Sequence, residues 1–204
     1  MVRAKTTTST RPRRVSSNGV PGPTRPLLEL DGYTVRRMAA ADLPFVLGLQ
    51  QTGANHLLID LPSSAEQSVA FLQELEKQPW ATLMVAEANG MPMGAMTTGL
   101  TNLTSLNTFV LAMFAEPHQG TIPLGLFTRH LFWTYPLQRA YVQFPLLDET
   151  AAYADLYASV GFRREGVMKQ HQAVAGIRRD VGVFGLLRAD FDRWWAKHDP
   201  RLSL

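Results

Sequence analysis

The chain contains no cysteine among its 204 residues, which removes disulfides, thiolate metal sites and cysteine nucleophiles together. Charged residues make up 18% of the sequence, below the roughly 25% of an average soluble domain. Such a shortfall predicts surface covered beyond one monomer's core, and a homodimer face would supply it. No apolar run approaches the roughly 20 residues needed to span a bilayer, so the expectation is a soluble, cytoplasmic protein with no membrane contact. The five histidines, His56, His118, His130, His171 and His198, show neither an HExxH motif nor a pair at helical metal spacing. No metal site is expected from them. The Gly-x-Ser-x-Gly elbow of serine hydrolases is also missing, and no internal repeat points to a solenoid or propeller.

What is present is enough apolar material, 46%, for one sizeable core and not for two domains. The net charge of +3 is unevenly placed. Residues 1–28 carry Arg3, Lys5, Arg11, Arg13, Arg14 and Arg25 without an acid, so removing these six charges leaves the rest of the chain at −3. This segment is rich in Thr, Ser, Pro and Arg and poor in apolar side chains, which predicts a disordered basic tail. A solvated extension, an arm for a polyanion and a targeting segment all fit that composition. Pro12, Pro21 and Pro23 argue against an amphipathic presequence helix. The folded domain is expected over residues 29–204.

Along that domain, strands and helices alternate. "YTVRRM" (Tyr33 to Met38) reads as a strand and "DLPFVLGLQQ", with Pro44 in its first turn, as a helix. "SSAEQSVAFLQELEKQ" has Ser63 and Glu66 at capping-box spacing, with Val69, Leu72 and Leu75 at helical intervals. Two apolar runs flank Asn89-Gly90, a strong hairpin signal, and a third strand from Asn107 to Ala115 completes a meander. A helix from Pro123 to about Tyr135, a strand from Ala140 to Phe144 and a helix from Glu149 to Ser159 follow. A long hairpin turns at Ala175-Gly176, and Trp194 and Trp195 fall on a C-terminal helix that packs in the core or at a dimer face. The order predicts a single-domain α/β (α+β) fold, a mixed sheet flanked by helices.

"LYASVGFRREG" (Leu156 to Gly166) and "IRRDVGVFGLLRADF" (Ile177 to Phe191) resemble the C-terminal half of the GNAT superfamily of N-acetyltransferases, and within it the branch acting on ribosomal-protein N-termini. With "YTVRRMAAADLPFV" and "ANGMPMGAMTTG", the resemblance runs from about Tyr33 to Phe191. It implies two central parallel strands, Asn107 to Ala115 and Ala140 to Phe144, that splay apart so that an amine can attack an acyl carbonyl held between them. Backbone N–H groups at Met113 and Phe114 would bind donor and intermediate, an interaction that supplies several kcal/mol of transition-state stabilisation in other enzymes. The implied donor is acetyl-CoA or another acyl-CoA, and the implied acceptor a small-molecule or peptide amine.

Tyr157 matches the tyrosine that protonates the leaving thiolate in many members, and its ordinary pKa near 10 keeps the proton available at neutral pH. As a plain helix tyrosine it would pack on the sheet instead. Glu116, just after the central strand, is a candidate acceptor of the proton from the attacking ammonium, and His118 a candidate ligand because histidine as a residue type exchanges protons near neutral pH. His56 and Asp60 lie between the first helices, where the family shapes its acceptor site.

The donor loop of the family reads Gln or Arg-x-x-Gly-x-Gly or Ala, because small residues let backbone N–H groups reach a pyrophosphate at a helix N-terminus. Here the stretch is "HQGTIPLG". Gln119 matches; Gly120, Thr121 and Gly125 are the remaining candidate contacts. Ile122 and Leu124 stand at the two small-residue positions, and Pro123 has no N–H. These departures predict side chains in the phosphate space and a weakened coenzyme A contact. In the motif NxxSxxxY that precedes the tyrosine, Thr150, a candidate cofactor contact, and Tyr153 replace the first two residues. Three readings follow: an acyl-CoA N-acyltransferase, a GNAT-fold transferase that takes its acyl group from aminoacyl-tRNA or another carrier, and a catalytically silent binding module.

Overall fold

In a computed structural model the described residues are 27–58, 65–78 and 81–199. The basic tail through residue 26, Asp60 and Ser63 lie outside them. Strand β1 (Leu28–Leu30) and strand β2 (Tyr33–Arg37) form a first hairpin. The ordered sheet therefore begins at Leu28, one residue before the expected domain boundary, and the Leu27 N–H already bonds the Val35 carbonyl at 2.9 Å. Helices α1 (Leu43–Gln50), α2 (Asn55–Leu58) and α3 (Ala65–Glu76) follow. Strands β3 (Leu83–Ala88), β4 (Met91–Asn102) and β5 (Asn107–Phe114) make the expected meander. Asn89 and Gly90 turn it at φ 50° and 78°, the two positive values that an Asn-Gly hairpin turn uses.

Helix α4 (Thr121–Thr134) leads to strand β6 (Arg139–Pro145), helix α5 (Ala151–Ser159), strands β7 (Arg163–Val174) and β8 (Ile177–Leu187), and helix α6 (Arg188–His198). The β7–β8 turn falls at Ala175-Gly176, both at positive φ. Sequence periodicity missed β1 and α2, which at three and four residues are shorter than the windows that make a period visible.

The eight strands form one sheet in the order β1-β2-β3-β4-β5-β6-β8-β7. β5 and β6 are its parallel pair, joined through Asn107↔Arg139, Thr108↔Ala140 and Phe109↔Tyr141 only. Past that point the two strands diverge, and β6 stays bonded along its whole length to β8. Helices cover both faces. Val46 of α1 and Leu75 of α3 share an apolar recess with Leu111 and Met113 of β5. On the opposite face the Phe114 ring lies against Gly120, at the start of α4, with Leu156 of α5 beside it.

Asp42 stands at the N-cap of α1, as expected, but its side chain does not cap that helix. Its carboxylate, in a short turn before α1, forms a two-pronged pair with Arg36 at 2.7 and 2.8 Å and accepts the Ala39 N–H at 2.7 Å. Arg36 also bonds Glu87 of β3 at 2.8 Å. The guanidinium holds the Asp42 carboxyl below the usual carboxylate range, and both side chains are 10% exposed. This charge cluster ties β2, β3 and the α1 entry together at the antiparallel end of the sheet.

Candidate active site

Where β5 leaves β6, its backbone donors lose their strand partner. Peptide groups alternate along a strand, so Ala112 and Phe114 point their N–H groups into the opening while Met113 points its own toward β4. Two buried N–H groups without acceptors would cost about 1–3 kcal/mol each. Both are capped by side chains of α5. The Tyr157 hydroxyl accepts the Ala112 N–H at 3.0 Å, and the Tyr153 hydroxyl accepts the Phe114 N–H at 2.9 Å. Residues four apart share a helix face, and each tyrosine therefore reaches one of the two amides.

Both rings are buried, Tyr157 wholly and Tyr153 at 1% exposure. Tyr157 sits against Phe144 of β6, stacked at 5.9 Å between centroids, and edge-on to Phe162 at 5.1 Å. Its own proton points toward the Val110 carbonyl, 3.5 Å away. Tyr153 donates to Asn55 Oδ1 of α2, and Asn55 Nδ2 donates to the carbonyls of Phe114 at 3.1 Å and Leu49 at 2.8 Å. Burial penalises the phenolate and raises both hydroxyls: Tyr153 is pushed up to about 12 and Tyr157 further. Each holds its proton at neutral pH.

The predicted residues separate into groups around this opening. Tyr157 and Phe114 are in it. Met113 is not a gap donor, because its amide faces β4; Ala112 takes the place assigned to it. Thr150 is consumed by structure: its buried hydroxyl donates to the Pro145 carbonyl at 2.6 Å and accepts the Leu147 N–H at 3.2 Å, closing the turn from β6 into α5. Glu116 and His118 stand on the exposed turn into α4, with Glu116 Oε2 3.7 Å from His118 Nδ1. His56, on α2, is exposed and contacts the Gly53 carbonyl at 3.1 Å. Asp60 lies outside the described residues. Among the described residues no group of acidic residues and histidines is arranged to hold a metal.

The start of α4 departs from the expected obstruction. Gln119 is exposed and Gly120 buried. Pro123 and Leu124 turn into the core, Leu124 to 0% exposure, so neither fills the phosphate space; Ile122 is half-buried on the core's edge. The first bond within the helix runs from the Leu124 N–H to the Gly120 carbonyl at 2.8 Å. Pro123 therefore sits where no intrahelical donor is needed, and Thr121 and Ile122 supply the first-turn N–H groups. Thr121 Oγ1 is 2.8 Å from Ser159 Oγ. Gly125 serves packing: a Cβ there would lie 2.5 Å from the Trp194 ring, and the Trp194 indole bonds the Ser159 carbonyl at 2.7 Å.

Sequence reasoning missed Ala112, Asn55 and the part played by Tyr153. The i, i+4 spacing of Tyr153 and Tyr157 was the available signal, since it places two hydroxyls on one helix face. Asn55 had none, because the partners that bring it to the opening, Phe114 and Tyr153, are 59 and 98 residues away in the chain.

No protein-family model and no curated protein matches the chain. Solved structures do match. The spermidine N-acetyltransferase from Vibrio cholerae, in complex with CoA and spermine, superposes with a TM-score of 0.68 at 18% identity, over 79% of this chain and 99% of that one. A ribosomal-protein-S5-alanine acetyltransferase from Vibrio fischeri gives 0.64 at 19% identity over 80% and 97%. The ribosomal L7/L12 alpha-N-protein acetyltransferase, in an apo form, gives 0.65 at 16% identity over 80% and 94%. Identities this low carry architecture rather than chemistry, and the architecture is unambiguous: with its splayed parallel strands and its helix starting beside the opening, the chain has the fold of the GNAT superfamily.

Proposed function

We propose that the protein is an N-acyltransferase that moves an acyl group, acetyl in the simplest case, from acyl-CoA to a small-molecule or peptide amine. The observation that carries this reading is the pair of inward-facing β5 amides held by tyrosine hydroxyls rather than by a strand. A hydroxyl cap is exchangeable where a strand is not. A donor carbonyl entering the opening takes the Ala112 N–H from Tyr157, and the same N–H stabilises the oxyanion as the amine attacks.

Acyl-CoA supplies the thioester; the residues do the rest. Tyr157, displaced from Ala112, is left beside the breaking C–S bond and gives its proton to the departing thiolate. The acceptor ammonium has to lose one proton before its amine can attack and a second from the tetrahedral intermediate, each to solvent, directly or through Glu116, whose exposed position makes it an exchange point with water. Tyr157 then recovers a proton from the same pool. At the start of α4 the Thr121 and Ile122 N–H groups face the expected pyrophosphate, and Gln119 and Gly120 border it.

A second reading is favoured by the same helix. Pro123 withholds one N–H, so the anion seat has one donor fewer than the family pattern provides. A donor that does not depend on it, such as the ester of an aminoacyl-tRNA, also fits a basic tail of six cationic residues. The satisfied amides also fit the third reading, a silent binding module.

Product analysis separates the three. The full chain is incubated with acetyl-CoA and an amine panel of polyamines and N-terminal peptides, and separately with charged tRNA without CoA, and amides are identified by mass spectrometry. Acylated amine from acetyl-CoA supports the first reading. Amide from charged tRNA alone replaces it with the second. No product from either leaves the silent fold.

A further inference from the structure

The splay lets the two helical layers of the protein touch through the sheet. Tyr153 belongs to α5, on the face that carries Phe114, Gly120 and Leu156. Asn55 belongs to α2, which α1 leads into on the face that carries Leu111 and Met113. The two side chains meet in the opening, and both are 1% exposed. Around them runs a closed ring of hydrogen bonds: Phe114 N–H to Tyr153 oxygen at 2.9 Å, Tyr153 O–H to Asn55 Oδ1, and Asn55 Nδ2 to the Phe114 carbonyl at 3.1 Å.

Every donor and acceptor in the ring is used. The second Asn55 Nδ2 hydrogen holds the end of α1 through the Leu49 carbonyl at 2.8 Å, shared with the more distant Thr52 Oγ1 at 3.2 Å. Phe114 is the last residue of β5, and its ring fixes Gly120 at the start of α4. One asparagine thus connects α1 and α2 with the second inward-facing amide and, through Phe114, with the turn that leads to the anion seat.

We infer that Asn55 and Tyr153 are positioning residues that fix the Phe114 peptide and couple the α1–α2 layer to the acyl-binding opening. The inference rests on the acyltransferase reading for its kinetic consequence and on geometry alone for its structural one. A ligand that moves α2 loosens the Phe114 amide, and a ligand that takes that amide pulls on α2. Binding on one side of the sheet is therefore linked to binding on the other, equally in both directions.

The test has two arms. Hydrogen exchange of the full chain, resolved by NMR, compares wild type with Tyr153→Phe, which keeps the ring and removes the hydroxyl, and with Asn55→Ala. The Phe114 N–H is expected to exchange at least tenfold faster in both variants, with the Ala112 N–H, held by Tyr157, unchanged. Equal protection of Phe114 in wild type and Tyr153→Phe, or equal loss at Ala112, overturns the clamp whether or not the protein is an enzyme. In steady-state assays with acetyl-CoA and the amine found by product analysis, the wild-type amine KM is expected to shift at least fivefold between low and saturating acetyl-CoA, and the Asn55→Ala amine KM less than twofold over the same range. An acetyl-CoA dependence of the amine KM that is the same in both proteins overturns the coupling. Absence of turnover in wild type overturns the acyltransferase reading and with it the coupling, while the exchange arm still decides the clamp.

Discussion

The antiparallel part of the sheet and the β5–β6 junction solve the same problem in opposite ways. From β1 to β5 each strand bonds its neighbour through backbone groups, and an Arg36–Asp42–Glu87 cluster joins β2, β3 and the entry to α1 within that assembly. At the junction only three residue pairs are joined, and the amides beyond them are satisfied by tyrosine hydroxyls. A backbone ladder is cooperative and hard to open at one rung; a side-chain cap leaves when a better acceptor arrives. On the proposed acyltransferase reading, the first region supplies the frame and the second supplies amides that a ligand can reclaim.

Breaking the rigid region should cost the most. Asp42→Ala leaves Arg36 buried beside Glu87 alone, and removing one partner of a buried pair costs about 3–5 kcal/mol. Urea unfolding measures it, and a loss under 1 kcal/mol would mean that the cluster does not fasten this half. The same pair sets an acid limit. Because the folded-state Asp42 is more acidic than its ordinary value of 3.8, its contribution is complete above that value and lost as pH falls through the lower folded-state pKa. The wild-type unfolding midpoint should drop over that range, and the Asp42→Ala midpoint should drop less steeply.

Tyr157→Phe probes the exchangeable region. Turnover should fall by roughly 10²-fold for loss of a general acid. Stability should fall by about 1–3 kcal/mol, because the Ala112 N–H loses its acceptor. Unchanged turnover would remove Tyr157 from the chemistry. A stability loss as large as that of Asp42→Ala would erase the distinction between the two regions.

Effects on stability alone are expected where α4 packs on α6. Gly125→Ala forces the Trp194 ring aside, an overpacking cost of about 1–3 kcal/mol. In a Trp194→Ala background the same change should be neutral or gain up to about 1 kcal/mol of helix propensity. Additive values from the four unfolding curves would show that the two residues do not meet. Least of all, Glu116→Gln should slow turnover by no more than about threefold, since water replaces an exposed proton acceptor; a loss near that of Tyr157→Phe would make Glu116 an obligatory base.

Legibility followed range along the chain. The hairpins at Asn89-Gly90 and Ala175-Gly176 were readable because positive φ is a demand on two adjacent residues. Helices α3 and α5 and the meander were readable because amphipathic periods are local. Tyr157 was readable through its neighbours in "LYASVGF". Thr150 was assigned to a cofactor because nothing in the sequence tells that its hydroxyl closes a turn, and Gly125 because a glycine that accepts a tryptophan ring looks like one that accepts a phosphate.

By itself the amino-acid sequence determined the order of the longer elements, the two tight turns, the position of a proline where a helix needs no donor, and a helix with tyrosines on one face. Those are consequences of φ preference, hydrogen-bond inventory and periodicity, all settled within a few residues. Only the tertiary structure decided that Ala112 rather than Met113 faces the opening, that Leu124 turns inward, that Trp194 covers Gly125, and that Asn55 meets Tyr153 through the sheet. Each of these depends on the direction of a group relative to an element far away in the chain, and that direction exists only once the strands have paired and then parted.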